Sequence, residues 1–271
     1  MKLTGKVALV LGGAKGIGRE LCFFLAEQGV SVATTYWDWP EESASLIEKL
    51  NAPGSDHLAM AADLRDPQDV QRLIAEIRRK YGRLEILINN IERGGMPVVH
   101  GEYTSEQWDL ELATTLKAKR WVFHQALPLL KESNEGAVVN ITSIAGQVGR
   151  SGPAGLIFND GYSAANRGIG LLTESWARAG APEVRVNELM LGFFETRHAQ
   201  GTRGWDLLTE EQRRAITDHI LLDRTGRSDE ILKAVRFLLC DADYLTGATL
   251  RLDGGYVLGG EKVPPMPVGV V

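Results

Sequence analysis

The sequence predicts an α/β fold, a single domain built on a doubly wound parallel sheet with helices on both faces. Three observations predict it. Apolar, β-prone runs alternate with amphipathic helical stretches along all 271 residues, the pattern of parallel strands joined by crossover helices. The first run, Val7-Ala-Leu-Val-Leu11, passes directly through Gly12, Gly13, Gly16 and Gly18 into a helix-forming stretch. No repeat or linker interrupts the pattern, so residues 1–271 are expected to share one core, for which the length is sufficient.

The elements follow in order. The first helix, Arg19 to Gln28, stops at Gly29, and Val30 to Tyr36 is a β-branched strand. Trp37 to Pro40 is a loop, and Pro40 suits the first turn of a helix running to Leu50. Asn51-Ala-Pro-Gly54 breaks that helix, and His57 to Ala61 is the third strand, ending before Asp63. Pro67 opens a helix through Lys80 with Val70, Leu73, Ile74 and Ile77 on one face. Leu84 to Ile88 is the fourth strand, and Glu92 to Gly101 a glycine-rich loop. Ser105 is expected to cap a long helix to about Leu130, followed by a strand over Gly136 to Ile141. Residues 146–161 read as irregular, Tyr162 to Ala179 as helix and Val184 to Leu189 as strand. The mixed stretch Gly192 to Thr217 contains a helix after Trp205; Asp229 to Leu239 is the last helix and Ala248 to Leu252 the last strand. The tail Gly259 to Val271, with Pro264, Pro265 and Pro267, cannot be regular helix. Its apolar residues predict that it packs on its own or a neighbouring subunit.

Composition excludes several classes. With 30 Lys+Arg against 35 Asp+Glu, a net charge of −5, nothing points to a nucleic-acid partner. No apolar run is long enough to cross a bilayer, so no membrane partner is expected. Cys22 and Cys240 sit among apolar residues and read as buried free thiols. The start, Met1-Lys-Leu-Thr-Gly-Lys-Val7, does not resemble a signal peptide, and a cytoplasmic location is expected. The 5 histidines show no ligand spacing, so no metal is expected.

A strand, a glycine turn and a helix together aim backbone N–H groups and the positive helix end at one spot, which suits a phosphate. The spacing Gly12-x-x-x-Gly16-x-Gly18, with Lys15 and Ile17 between, resembles the short-chain dehydrogenase/reductase family of the 3-oxoacyl-ACP-reductase-like kind. That resemblance continues in order along the chain. Asp63 in Ala-Asp-Leu is similar to the family's acidic residue beside adenine. Asn89-Asn90 is similar to the start of Asn-Asn-Ala-Gly, and Ser143 in Val139-Asn-Ile-Thr-Ser143 to the catalytic serine. Tyr162 in Tyr162-Ser-Ala-Ala-Asn166 is similar to the acid/base of Tyr-x-x-x-Lys. Gly192 closes the Pro-Gly segment, Thr196 falls where the carboxamide of nicotinamide binds, and Asp253-Gly-Gly255 matches the C-terminal signature. The resemblance implies a Rossmann-type fold and hydride transfer between a nicotinamide cofactor and a carbonyl or alcohol carbon.

Departures from the family mark an altered catalytic tetrad. The lysine is Asn166, the long-helix asparagine is Thr115, Ala-Gly is Ile91-Glu92, and Pro-Gly is Leu191-Gly192. The stretch between Ser143 and Tyr162 is also longer than usual, with the extra residues falling within 147–161. A tyrosine alone has a pKa of about 10, and a nearby cation brings it closer to working pH. Asn166 has no charge to do this, though it can hydrogen-bond a ribose hydroxyl. Alcohol oxidation needs a base and suffers most; carbonyl reduction needs an acid, and a neutral tyrosine holds its proton.

For the cofactor, Tyr36 stands at the end of strand two where NAD-type members carry Asp, and Lys15 resembles the residue that meets a 2′-phosphate. Both favour NADP(H), while Asp38 keeps NAD(H) open. Glu92 is expected to face the cofactor and repel the pyrophosphate. Phe193 to Thr217 and 147–161 should shape the site of a small-molecule substrate. If Arg197, His198 and Arg203 converge with Arg150, they suit an anionic one. The helices near 105–130 and 162–179 resemble those of the family's four-helix interface and predict a homo-oligomer, a tetramer before a dimer, with Leu112, Leu116 and Phe123 available for core or contact. The leading reading is an NADP(H)-linked reductase of a carbonyl or similar group. The runner-up is a binding or regulatory protein of the same fold, or a non-catalytic subunit.

Overall fold

Alternation along the strands decides the architecture. Successive strand side chains face opposite sides of a sheet. Val7, Leu9 and Leu11 enter one apolar cluster, and Ala8 and Val10 the other. Both faces are therefore covered. The computed structural model describes residues 1–37, 39–50, 55–92, 104–195 and 208–261.

The chain runs β1 (Val7–Val10), α1 (Gly16–Glu27), β2 (Ser31–Tyr36), α2 (Pro40–Leu50), β3 (Leu58–Ala61), α3 (Pro67–Tyr81) and β4 (Ile86–Asn89). There follow α4 (Ser105–Glu111), a π-helical segment (Leu112–Lys117), α5 (Ala118–Glu132), β5 (Gly136–Ser143), α6 (Ala145–Val148), a 3₁₀ turn (Gly152–Leu156) and α7 (Asp160–Gly180). The last elements are β6 (Val184–Leu191), α8 (Glu210–Asp218), α9 (Ser228–Cys240), β7 (Thr249–Leu252) and a 3₁₀ turn (Tyr256–Leu258). The seven-stranded sheet has the order β3-β2-β1-β4-β5-β6-β7. Every neighbouring pair in it is parallel. This is the doubly wound Rossmann-type α/β fold.

Local signals place the helices. Asp66 caps α3 by accepting from the Gln68 N–H, Pro67 opens it, and Gly82 ends it at φ +70°. Two expectations are corrected here. The cap of α4 is Thr104 rather than Ser105, because the Thr104 hydroxyl accepts from the Gln107 N–H while the Gln107 side chain accepts from the Thr104 N–H. The long helix is also not continuous α-helix. At Leu112–Lys117 the turn widens, and the Ala118 N–H donates to the Ala113 carbonyl five residues back. The stretch 146–161, expected to be irregular, carries α6 and a 3₁₀ turn. It is tied to the end of the chain by the Ala154 N–H, which donates to the Tyr256 hydroxyl at 2.7 Å.

Packing on one face of the sheet centres on α5 and α7. Phe123 stacks on Trp176 with ring centroids 4.4 Å apart and planes 8° from parallel. Phe123 is thus a core residue and is not available to a neighbouring subunit. Leu116 packs against Gly168, where a Cβ would lie 3.0 Å from it. Between sheet and helix runs a polar chain: Asn89 donates to Asn140, Asn140 to Thr173, and Thr173 to the Ile169 carbonyl. On the other face, Arg185 donates to the carbonyls of Leu238, Leu239 and Ala242, completing the C-terminal end of α9. Among the described residues no helix is long and apolar enough to cross a membrane.

Phe123→Ala should lower the free energy of unfolding by about 3–5 kcal/mol, since it removes a stacked ring and leaves a cavity. Urea titration checks this, with a lowered midpoint and an unchanged slope.

Candidate active site

In an open parallel sheet the strand order reverses at one point, and a crevice opens there beyond the carboxyl ends. Here that point lies between β1 and β4. A cavity of about 1130 Å³ opens over it, walled by the ends of β1, β2, β4, β5 and β6 and by the first turn of α1.

The turn into α1 is shaped for close approach. Gly12 and Gly16 have φ of +71° and +57°, a region that favours glycine. A Cβ on Gly18 would lie 2.2 Å from the Gly12 carbonyl oxygen, and one on Gly13 2.1 Å from the Thr34 hydroxyl. Asn90 donates to the Leu11 carbonyl at 3.3 Å and joins β4 to this turn. Helix α1 has no capping side chain and no acidic residue in its first turn. Its N–H groups are therefore open to an anion. Gly12, Lys15, Gly16, Ile17 and Asn90 line the cavity; Gly18 does not, and serves the packing of helix on turn.

The outer end carries Tyr36, Lys15, Asp63 and Arg65. The Lys15 ammonium stands 3.8 Å from the Trp39 ring centre and 3.8 Å from a Glu42 oxygen. Arg65 grips Asp63 with two hydrogen bonds, 2.8 and 2.6 Å, and holds its carboxyl below the usual carboxylate range. Two cations thus flank this end. These residues suit a dinucleotide, since the glycine turn and the open start of α1 offer N–H groups to a phosphate.

The inner end gathers Ser143, Tyr162, Asn166 and Gly192. A Cβ on Gly192 would lie 2.7 Å from the Asp253 backbone, so this wall needs glycine. The Tyr162 hydroxyl donates to Glu92 at 3.0 Å. Burial, first, and the Glu92 carboxylate, second, raise the Tyr162 pKa well above its ordinary value; the Ser143 hydroxyl acts the other way. Glu92 lines the cavity, as expected, and its carboxylate accepts the Tyr162 hydrogen bond there. Asn166 is 3 % exposed. Its Oδ1 accepts from the Ser143 N–H at 3.1 Å and its Nδ2 donates to the Tyr162 carbonyl at 3.0 Å. Position 166 thus clamps the end of β5 to the first turn of α7 and also lines the cavity. Thr115 is also turned inward: its hydroxyl donates to Glu111, and Thr114 lines the cavity in its place. The widened turn lies at this point of the helix.

Residue-type reasoning missed three buried charges. Lys119 is 1 % exposed, lines the cavity, and donates to the Ile141 carbonyl at 2.7 Å. Glu111 and Glu188 are 2 % and 1 % exposed. Thr142 and Thr249 both donate to Glu188. A signal was present: Glu111, Thr115, Lys119 and Phe123 recur every four residues, so the lysine falls on the buried stripe of its helix.

Thr196, Asp38, Arg197, His198, Arg203 and Trp205 lie outside the described residues. Phe193 and Phe194 are buried. Phe193 stacks on Phe158 of the longer 147–161 stretch with centroids 5.3 Å apart, and both belong to a third apolar cluster with Ile216, Ile220 and Tyr256. Arg150 is exposed. Cys22 is buried as expected, and burial pushes its thiol up to about 12. Among the described residues no group of acidic, histidine or cysteine side chains is placed to hold a metal ion.

The family described as short chain dehydrogenase matches residues 6–207. The 3-oxoacyl-[acyl-carrier-protein] reductase FabG of Staphylococcus aureus is 33% identical over 259 residues, covering 94% of this chain and 99% of that protein. The protein of the same name from Thermotoga maritima is 29% identical over 263 residues, 95% of this chain and 100% of its own. Nodulation protein G of Azospirillum brasilense is 32% identical over 257 residues, 93% of this chain and 98% of its own.

Asn166→Ala should cost about 1–3 kcal/mol of stability, because it leaves the buried Ser143 N–H without an acceptor. Thermal and denaturant unfolding without any ligand measure this; an unchanged midpoint would show that the clamp contributes nothing.

Proposed function

The chain belongs to the short-chain dehydrogenase family, and on that premise we propose that it is an NADP(H)-linked oxidoreductase reducing a carbonyl or similar unsaturated group. One observation carries the reading: Ser143 and Tyr162 both line the cavity onto which the glycine turn opens. A reduced nicotinamide bound there supplies the hydride. Ser143 and Tyr162 would hold the substrate oxygen, and Tyr162 would give it the proton from its hydroxyl. Burial and Glu92 keep Tyr162 a phenol at working pH. The residue is therefore stocked as an acid and is a poor base, which favours reduction over alcohol oxidation. The names of two of the relatives, reductases of 3-oxoacyl groups, make a 3-oxoacyl thioester the first substrate class to test.

For the phosphate form of the cofactor, Lys15 and Arg65 line the outer end, and a 2′-phosphate would draw them from their partners Glu42 and Asp63. The proposed cofactor residues are Gly12, Lys15, Gly16, Ile17, Tyr36, Asp63, Asn90, Gly192 and Thr196, with Gly18 shaping the turn by its close packing. Ser143 and Tyr162 would act on substrate; Asn166 and Thr115 would act through the scaffold. We further propose a cytoplasmic homo-oligomer, a tetramer first. Trp108 and Leu171 leave exposed apolar surface on α4 and α7 that a second copy would cover.

The bond between Tyr162 and Glu92 favours a second reading. It engages the hydroxyl that should meet substrate, as expected of a binding or regulatory protein that keeps the fold without the chemistry. Calorimetric titration with NADPH, NADP, NADH and NAD separates the two. Micromolar binding of a phosphate form supports the enzyme; no binding of any form sinks it.

Tyr162→Phe should then lower reduction of a 3-oxoacyl thioester by about 10²–10⁴-fold with little change in nucleotide affinity. The pH dependence has a definite sign. Because the Tyr162 pKa is raised, the proton needed for reduction stays in place throughout the neutral range. The reverse oxidation should be slow at neutral pH and should accelerate as pH rises. Initial rates in both directions across a pH series check this, and a fast neutral oxidation would contradict it.

A further inference from the structure

A tyrosine hydroxyl carries a single hydrogen, and that of Tyr162 goes to Glu92, at 3.0 Å. A hydrogen given to that carboxylate is not available to a substrate oxygen. A tyrosine that surrendered it would also become a phenolate 3.0 Å from a second anion, an arrangement that like charges oppose. Asn166 brings no charge in compensation, since its neutral amide joins the Ser143 N–H to the Tyr162 carbonyl. Glu92 stands three residues beyond β4, half-buried, and lines the same cavity as Ser143 and Tyr162. It therefore meets both the tyrosine oxygen and the contents of the cavity.

We propose that Glu92 is the proton supply of Tyr162. A carboxylate can only accept a hydrogen bond, whereas a carboxylic acid has an O–H to donate. With a proton on Glu92, that O–H turns to the Tyr162 oxygen, and the tyrosine hydrogen is released toward the substrate. The carbonyl carbon gains a hydride from the reduced nicotinamide, the carbonyl oxygen takes the Tyr162 proton, and the Tyr162 oxygen takes the Glu92 proton. The carbonyl is reduced, the nicotinamide is oxidised, and one carboxylate remains. Tyr162 begins and ends as a phenol, so no phenolate has to be balanced by a cation. The bond from hydroxyl to carboxylate in the structure is the arrangement this relay leaves behind, and one proton from water recharges it. Substrate and nicotinamide filling the cavity would exclude water from the carboxyl, which disfavours its charged form. Reversal has to start from that charged form, in keeping with a site biased to reduction. The relay rests on the reductase reading above and adds to it the second proton carrier.

The test is single-turnover reduction of a 3-oxobutanoyl thioester by the full chain loaded with NADPH, in mixtures of light and heavy water. Plotted against the deuterium fraction, the wild-type rate should bow below a straight line, because two protons move together. Glu92→Gln keeps the shape of the side chain but has no acidic proton. It should be about 10²-fold slower, give a straight line and bind NADPH as tightly as the parent. Glu92→Ala should be equally slow. Acetic acid added to the buffer should restore part of its rate by occupying the vacated space, and should do nothing for Glu92→Gln.

A straight line for the wild-type protein would overturn the proposal, and this measurement stands even if neither variant folds. Glu92→Gln as fast as the parent or faster would also overturn it, showing that Glu92 only restrains the tyrosine. Either result, obtained with an active wild-type protein, leaves the reductase reading in place. A wild-type protein that binds NADPH but reduces no carbonyl substrate removes the reading and the relay together.

Discussion

A parallel sheet covered on both faces leaves only the ends of its strands for chemistry. Its backbone ladder must be shielded, its connections must cross over, and almost every strand residue becomes core. Here β1, β4 and β5 are buried along their whole length. The point where strand order reverses, between β1 and β4, then becomes the one place where two βα turns diverge and leave a crevice. Gly12 to Ile17 form one wall of it and Asn90 to Glu92 another. The two are joined by the bond from Asn90 to the Leu11 carbonyl. The fit of the glycine turn, the depth of the cavity and the placing of Ser143 all follow from that geometry.

This dependence explains what was legible in the sequence. Alternation in Val7 to Leu11 and the helical face of Val70, Leu73, Ile74 and Ile77 are properties of single elements, and they read through to the sheet. The proline and glycine that bracket α3 are equally local. The widened turn at Leu112–Lys117 is not local. It lies in a packed interior where Thr115 donates to Glu111, and no spacing rule announces it. The capping threonine was missed for a smaller reason: Thr104 and Ser105 are both good caps, and the side chain of Gln107 decides between them.

The candidate site was legible as a set of positions but not as a set of interactions. Ser143, Tyr162, Gly12 and Asn90 do meet around one cavity. Read by itself, Asn166 is an amide free to reach a ribose. Read in place, it closes a backbone gap between β5 and α7. Glu92 shows the same limit: it lines the cavity as expected, but its hydrogen-bond partner, Tyr162, lies seventy residues away in the chain. Long-range partners of this kind are fixed by how α7 crosses the sheet, which local sequence does not encode.

The charge at the inner end then has to be considered as a whole. Glu92, Glu111 and Glu188 bring three carboxylates to a region where solvation is poor. Hydroxyls of Thr115, Thr142, Thr249 and Tyr162 donate to them, but a hydroxyl neutralises nothing. Lys119 is buried beside the same cavity, and burial lowers its pKa to about 8 against the opposing pull of the three carboxylates. Removing one partner from such a group costs more than never having built it, because the remaining charge is left buried and uncompensated. That asymmetry makes a lone change at position 92 or 119 hard to tolerate.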